Sequence, residues 1–209
     1  KYTGKDIEQP DVTLAYEGKE LKEGVDYTVY YKTNRDAGPA KMTFVGNGEY
    51  SGSVAKSFTI QPKDASKFKL YYATPLSFTG KAITPDVLIK DGNKTLERYV
   101  DYMVMYSSNV NVGTGKISVE FYGNYKGKQT ASFVINPAKQ QIQVLETRYK
   151  GFFVDFVQKG SATGYEVQYG TRSDFSGAST YRSTTNKTDK MTVLGLGASK
   201  TYYVRVRSY

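Results

Sequence analysis

The chain has 209 residues, 29 basic against 20 acidic side chains, a net charge of +9, and neither cysteine nor histidine. Disulfides and thiolate metal sites are therefore excluded, and the commonest general base and metal ligand is absent. No apolar run is long enough for a membrane-spanning helix. The charge is uneven: −1 over residues 1–62, +4 over 63–137 and +6 over 138–209. No five lysines or arginines stand together, so the basic end reads as a solvated surface.

The chain states one pattern twice. Tyr2-Thr3-Gly4-Lys5 returns as Phe78-Thr79-Gly80-Lys81, and Pro10-Asp11-Val12 as Pro85-Asp86-Val87. Asp26-Tyr27 returns as Asp101-Tyr102, Asn34 as Asn109, Gly38 as Gly113, and Phe58-Thr59-Ile60-Gln61-Pro62 as Phe133-Val134-Ile135-Asn136-Pro137. The offset is 76 residues for the first motif and 75 from Pro10 onward, so one residue is gained or lost between Gly4 and Pro10. A period this long suits a small domain that buries its own core.

Within each copy the apolar period is two. Val12, Leu14 and Tyr16 alternate with smaller residues, followed by Tyr27, Val29 and Tyr31, then Met42 and Phe44, then Phe58 and Ile60. The second copy keeps the phase in Val87 and Ile89; Tyr102, Val104 and Tyr106; Ile117, Val119 and Phe121; and Ala131, Phe133 and Ile135. Such alternation predicts strands with one dry face. Turn signals stand between them at Glu17-Gly18-Lys19, Gly46-Asn47-Gly48, Asp91-Gly92-Asn93 and Gly123-Asn124. The expected fold is all-β: three tandem antiparallel β-sandwiches over residues 1–62, 63–137 and 138–209. The joints, Gln61-Pro62-Lys63-Asp64 and Asn136-Pro137-Ala138-Lys139, are short and carry proline, which predicts a semi-rigid rod. The first copy has no counterpart of Phe68-Lys69-Leu70-Tyr71-Tyr72, and the last segment stops one strand short of a complete sandwich. Both ends are expected to be cut from a longer polypeptide.

The third segment predicts strands at Phe152, Val154 and Phe156; at Tyr165, Val167 and Tyr169; at Met191 and Val193; and over residues 201–207. Leu196 followed by Tyr202, Val204 and Val206 is the tyrosine-corner pattern. With Gly164-Tyr165-Glu166-Val167-Gln168-Tyr169, this segment resembles a bacterial fibronectin type III domain, with Phe156 where that family commonly carries tryptophan. The repeated pattern, aromatic-Thr-Gly-Lys through Phe-x-Ile-x-Pro, resembles the Ig-like repeats of Gram-positive bacterial surface proteins. The two resemblances imply an extracellular, cell-surface or wall-associated location, no cofactor and no catalytic residues.

Candidate chemistry is sparse. Asp26 and Asp101 each precede a strand tyrosine and read as turn residues bonding a local amide. Asp91-Gly92-Asn93 lacks the alternating oxygens of a calcium loop. Gly113-Thr114-Gly115-Lys116 lacks the further glycine and following helix of a phosphate loop, and reads as entry to a strand. Tyrosine is the anomaly, at 20 residues with no tryptophan. Tyr30, Tyr122 and Tyr203 fall on the outward parity, and Tyr203 shares its face with Arg205 and Arg207. These five form the candidate ligand surface, because exposed tyrosines are large, rigid and amphipathic. The expected function is a non-catalytic spacer or stalk whose partners are neighbouring domains of the same polypeptide. The alternatives are adhesion to wall or host glycans or proteins through the tyrosines, and an accessory region of a secreted hydrolase. Nucleic acid and membrane insertion are not expected.

Overall fold

The computed structural model describes residues 1–9, 12–159 and 162–209. The Pro10-Asp11 start of one repeated motif lies outside the described residues. The chain is all-β, with no helix among the described residues. It divides into two compact units, residues 1–70, 88–104 and 118–129 in one, and 71–87, 105–117 and 130–209 in the other.

In the first copy, β1 (Leu14–Tyr16) and β2 (Lys19–Leu21) make a hairpin. Both central turn residues, Glu17 and Gly18, have positive φ (47° and 81°), as the two-residue turn that matches strand twist requires. The strands β3 (Tyr27–Lys32), β4 (Gly38–Gly46) and β5 (Ser53–Ile60) follow as an antiparallel sheet in that order. Leu21, Tyr27, Met42 and Phe44 are buried together, with Leu14, Val29, Tyr31 and Tyr50 packed against them. Tyr16 departs from its expected inward place: it is 57% exposed.

The second copy runs through β6 (Lys63–Asp64), β7 (Leu70–Tyr71), β8 (Leu76–Ser77), β9 (Leu88–Asp91), β10 (Lys94–Thr95), β11 (Tyr102–Ser107), β12 (Gly113–Phe121) and β13 (Tyr125–Asn136). One sheet has the order β11-β12-β13-β6 and another β10-β9-β7. Two pairings, β6 and β8 with β13, are parallel, which alternation cannot reveal. The Gly113–Phe121 strand takes in the glycines of the discounted phosphate loop. Ile89, Ile117, Val119, Phe133 and Ile135 are all at most 1% exposed, in the expected phase.

The repetition extends to individual hydrogen bonds. Asn34 donates to the Ile7 carbonyl at 3.1 Å, and Asn109 to that of Ile83 at 3.0 Å. Asp26 accepts from the Lys22 amide at 2.9 Å, and Asp101 from that of Glu97 at 3.0 Å, which is the turn role expected of both. The Tyr2 amide donates to Gln61 and the Phe78 amide to Asn136, each at 2.8 Å. Ile7 and Ile83 still stand 76 apart, so the extra residue of the first copy falls between Ile7 and Pro10.

The last segment forms β14 (Ala138–Lys139), β15 (Ile142–Arg148), β16 (Gly151–Phe156), β17 (Tyr165–Gly170), β18 (Ser179–Ser183), β19 (Lys190–Leu194) and β20 (Tyr203–Ser208). Their sheets, β15-β16-β19 and β14-β20-β17-β18, give the three-over-four arrangement of an Ig/fibronectin III-like sandwich. Phe152, Val154, Phe156, Tyr165, Val167 and Val206 fill the interior. Phe156 is 1% exposed and its ring lies 5.0 Å from that of Tyr165. The Tyr202 hydroxyl accepts from the Gly197 amide at 3.1 Å, closing the tyrosine corner back on the upstream chain. Strands β15 and β18 were not anticipated; nearly all their residues are exposed or half-exposed, so they carry no dry-face alternation.

Candidate functional site

The five residues of the candidate surface divide between the two units. Tyr30 stands on β3 and is 59% exposed. Tyr122, just past β12, is half-buried, and its hydroxyl donates to the Tyr102 carbonyl at 3.2 Å. Tyr203, Arg205 and Arg207 alternate along β20 and so share one face, as the period-two reading placed them.

On that face the two arginines are held in place. Arg205 Nε donates to Gln168 at 2.7 Å, and its guanidinium lies 4.2 Å from the centre of the Phe175 ring. Arg207 and Arg182 both donate to Glu166, the latter at 2.9 Å. Glu166 is 5% exposed. Burial pushes its carboxyl up, but the bonds and charges of the two arginines outweigh this and hold it below the ordinary glutamate value. Arg182 also stacks over the Tyr209 ring at 4.7 Å. A groove of about 720 Å³ runs along β20, bordered by Phe175, Tyr203 and Arg205. It presents an apolar ring, a phenol and a fixed cation side by side.

A second cluster, within the other unit, was not foreseen. The Lys94 ammonium lies 5.7 Å from the ring centre of Tyr2 and 5.4 Å from that of Tyr125, with the Tyr2 hydroxyl at 3.4 Å and the Asp101 carboxylate at 3.9 Å. Tyr2 meets Tyr125 edge to face at 5.5 Å. Lys63, from the proline-bearing joint, pairs with Asp91 at 2.6 Å. The Tyr125 hydroxyl stands 3.3 Å from the same aspartate. Burial, then the charge of Asp91, push the Tyr125 phenol well above its ordinary value, so it stays a neutral donor. Beside this, Asn124 accepts from the Ala37 amide at 2.6 Å and donates to Asp36 at 2.9 Å. The contacts of Tyr2 with Lys94 and Tyr125, and those of Asn124 with Ala37 and Asp36, tie the first copy of the repeat to the second. A signal for the cluster was present: Lys94, Asp101 and Tyr125 recur as Lys19, Asp26 and Tyr50 at the same offset of 75.

Among the described residues no group of three or more Asp and Glu side chains is placed to hold a metal ion. No protein-family model matches the chain. No curated protein matches it either. Among solved structures, the chain is similar to the FN1–FN3 domains of chicken CNTN1, at 13% identity and a TM-score of 0.32, over 88% of this chain and 85% of that one.

Proposed function

We propose that this chain is a non-catalytic spacer region of an extracellular bacterial cell-surface protein, built of three β-sandwich beads with joints at 62/63 and 137/138. The observation that supports this reading is the junction of the first two copies. A bare flexible linker would need none of the Tyr2, Lys94, Asn124 and Lys63 contacts. A spacer that must transmit position needs its joints held, and here the Lys94–Tyr2 bond and the Asn124 bonds to Asp36 and the Ala37 amide join the two copies. Proline at 62 reduces the conformations open to the joint before any contact forms.

The chain has no cysteine, so spin labels can be placed at will. With Lys41→Cys and Lys90→Cys, both exposed positions, the label-to-label distance across the first joint should be one narrow distribution. A broad distribution spanning many ångströms would refute a held joint.

A second reading, adhesion, is favoured by the β20 groove, where Phe175 and Tyr203 flank an arginine already fixed in position. Its test is a glycan and wall-polymer binding screen at low and high salt. Binding that survives salt and is lost in Tyr203→Ala supports adhesion, since attraction to a merely basic surface is screened.

A further inference from the structure

The outward face of the β14-β20-β17-β18 sheet carries more positive charge than its own carboxylates balance. The register sets Lys139 opposite Arg207, Arg207 opposite Glu166, and Glu166 opposite Arg182, in one row across the sheet. The next row sets Arg205 opposite Gln168, and the third sets Tyr203 opposite Gly170. Residues of one row share a face, and steps of two along a strand keep it. Lys139, Arg182, Arg205 and Arg207 therefore share this face with a single acid. Glu166 spends one oxygen on Arg182 and the other on Arg207. Among the described residues neither Lys139 nor Arg205 forms an ion pair with an acid.

Two features set this face apart from a merely solvated basic surface. Lys139 and Arg207 are direct cross-strand neighbours, and like charges so placed repel. The Arg207 Nε is buried without a hydrogen-bond partner, so its partial positive charge is left uncompensated. An anion lying along the row relieves both. Arg205 is the cation best built to grip one. Its Nε donates to Gln168 at 2.7 Å, and its guanidinium lies 4.2 Å from the centre of the Phe175 ring. With Nε fixed, the two terminal nitrogens form a fork, the geometry that takes a carboxylate through two parallel bonds. Tyr203, two residues earlier on the same face and 42% exposed, adds a flat amphipathic ring.

We propose that this face binds a linear acidic polysaccharide whose sugar rings bear carboxylates, with Arg205 gripping a carboxylate and Tyr203 lying against a ring. The proposal rests on the adhesion reading and names its ligand class. Lys139 and Arg207 supply the field that holds neighbouring carboxylates of the polymer. Charge complementarity selects an acidic chain over a neutral one, because four cations face outward with one acid among them. A nucleic acid fits less well. Its bases need exposed rings interleaved with the cations, whereas the Phe175 and Tyr209 rings are already taken by Arg205 and Arg182.

The test is titration of the whole chain with polygalacturonate, its fully methyl-esterified form, neutral dextran and single-stranded DNA, at about 0.1 M and about 1 M salt. Polygalacturonate should bind at both salts and its methyl ester should not. Arg205→Lys keeps the charge and loses the fork, so it should weaken that binding by about tenfold or more. Should this variant also lower the Tm, Lys139→Gln and Tyr203→Ala, both at exposed positions, carry the same test. Equal binding of DNA and polygalacturonate, insensitive to these substitutions, would mean a generic basic surface and overturn the proposal. Binding of dextran, lost in Tyr203→Ala, with none of polygalacturonate would overturn the acidic ligand and leave the adhesion reading standing. No binding to any of the four polymers would overturn the proposal, and the adhesion reading falls with it only if the wider glycan and wall-polymer screen is also negative.

Discussion

The ammonium of Lys94 stands 3.4 Å from the hydroxyl of Tyr2, 92 residues away in sequence. The pair brings the opening motif of the first copy onto the head of the second, where Asn124 also bonds Asp36 and the Ala37 amide.

Replacing Lys94 by methionine keeps the apolar stem and removes the charge. The loss should be about 0.5–2 kcal/mol, the scale of a partly desolvated cation–π contact. Faster exchange of the Tyr2 amide, which is bonded to Gln61, would report it locally. The spin-label distribution across the joint should broaden in the same variant.

Asn124→Ala removes one bond to a backbone amide and one to Asp36. It should cost about 1 kcal/mol in chemical denaturation. Asn124→Asp should keep the Ala37 bond but set two carboxylates together, so it should be worse at neutral pH than below pH ~4.

Asp26 and Asp101 make the same amide bond in different surroundings: Asp101 is 4% exposed, whereas Asp26 is half-buried. Alanine should therefore cost about 1–3 kcal/mol at Asp101, where the Glu97 amide loses its partner, and about 1 kcal/mol or less at Asp26, where water substitutes. Equal losses would show that burial does not set the difference.

Glu166 carries a pH prediction. Its folded-state pKa lies below the ordinary value, so its contribution is complete at neutral pH and is lost as pH falls through the folded value. Glu166→Gln should be destabilised most at pH ~7, where Arg207 and Arg182 lose a charged partner. The gap between it and the parent chain should narrow below pH ~4.

Gly115 tests the packing of the second copy. A Cβ there would sit 2.4 Å from the Phe133 ring, which is buried and cannot swing away. Gly115→Ala should cost about 1–3 kcal/mol by overpacking. At Gly18 the neighbouring space is empty, and the penalty comes instead from the positive φ of 81°.

The sequence by itself determined the all-β class, the double statement of a 75-residue pattern, and the inward phase of Met42, Phe44, Ile117, Val119, Val154 and Val206. The physical reason is local: a strand with one dry face must alternate, and a turn with positive φ selects glycine or a few tolerant residues. It also gave the roles of Asp26, Asp101 and Tyr202, because each bonds a backbone group within five residues. The tertiary structure alone decided the rest. Exposed strands such as β15 and β18 have no dry face to announce them. The parallel pairing of β6 with β13 joins residues 62 apart. The Tyr2, Lys94 and Tyr125 cluster and the Glu166 pairings depend on side chains brought together across long stretches of chain, where no local periodicity acts. Tyr16 shows the limit most plainly: its alternation is that of a core residue, yet it is 57% exposed.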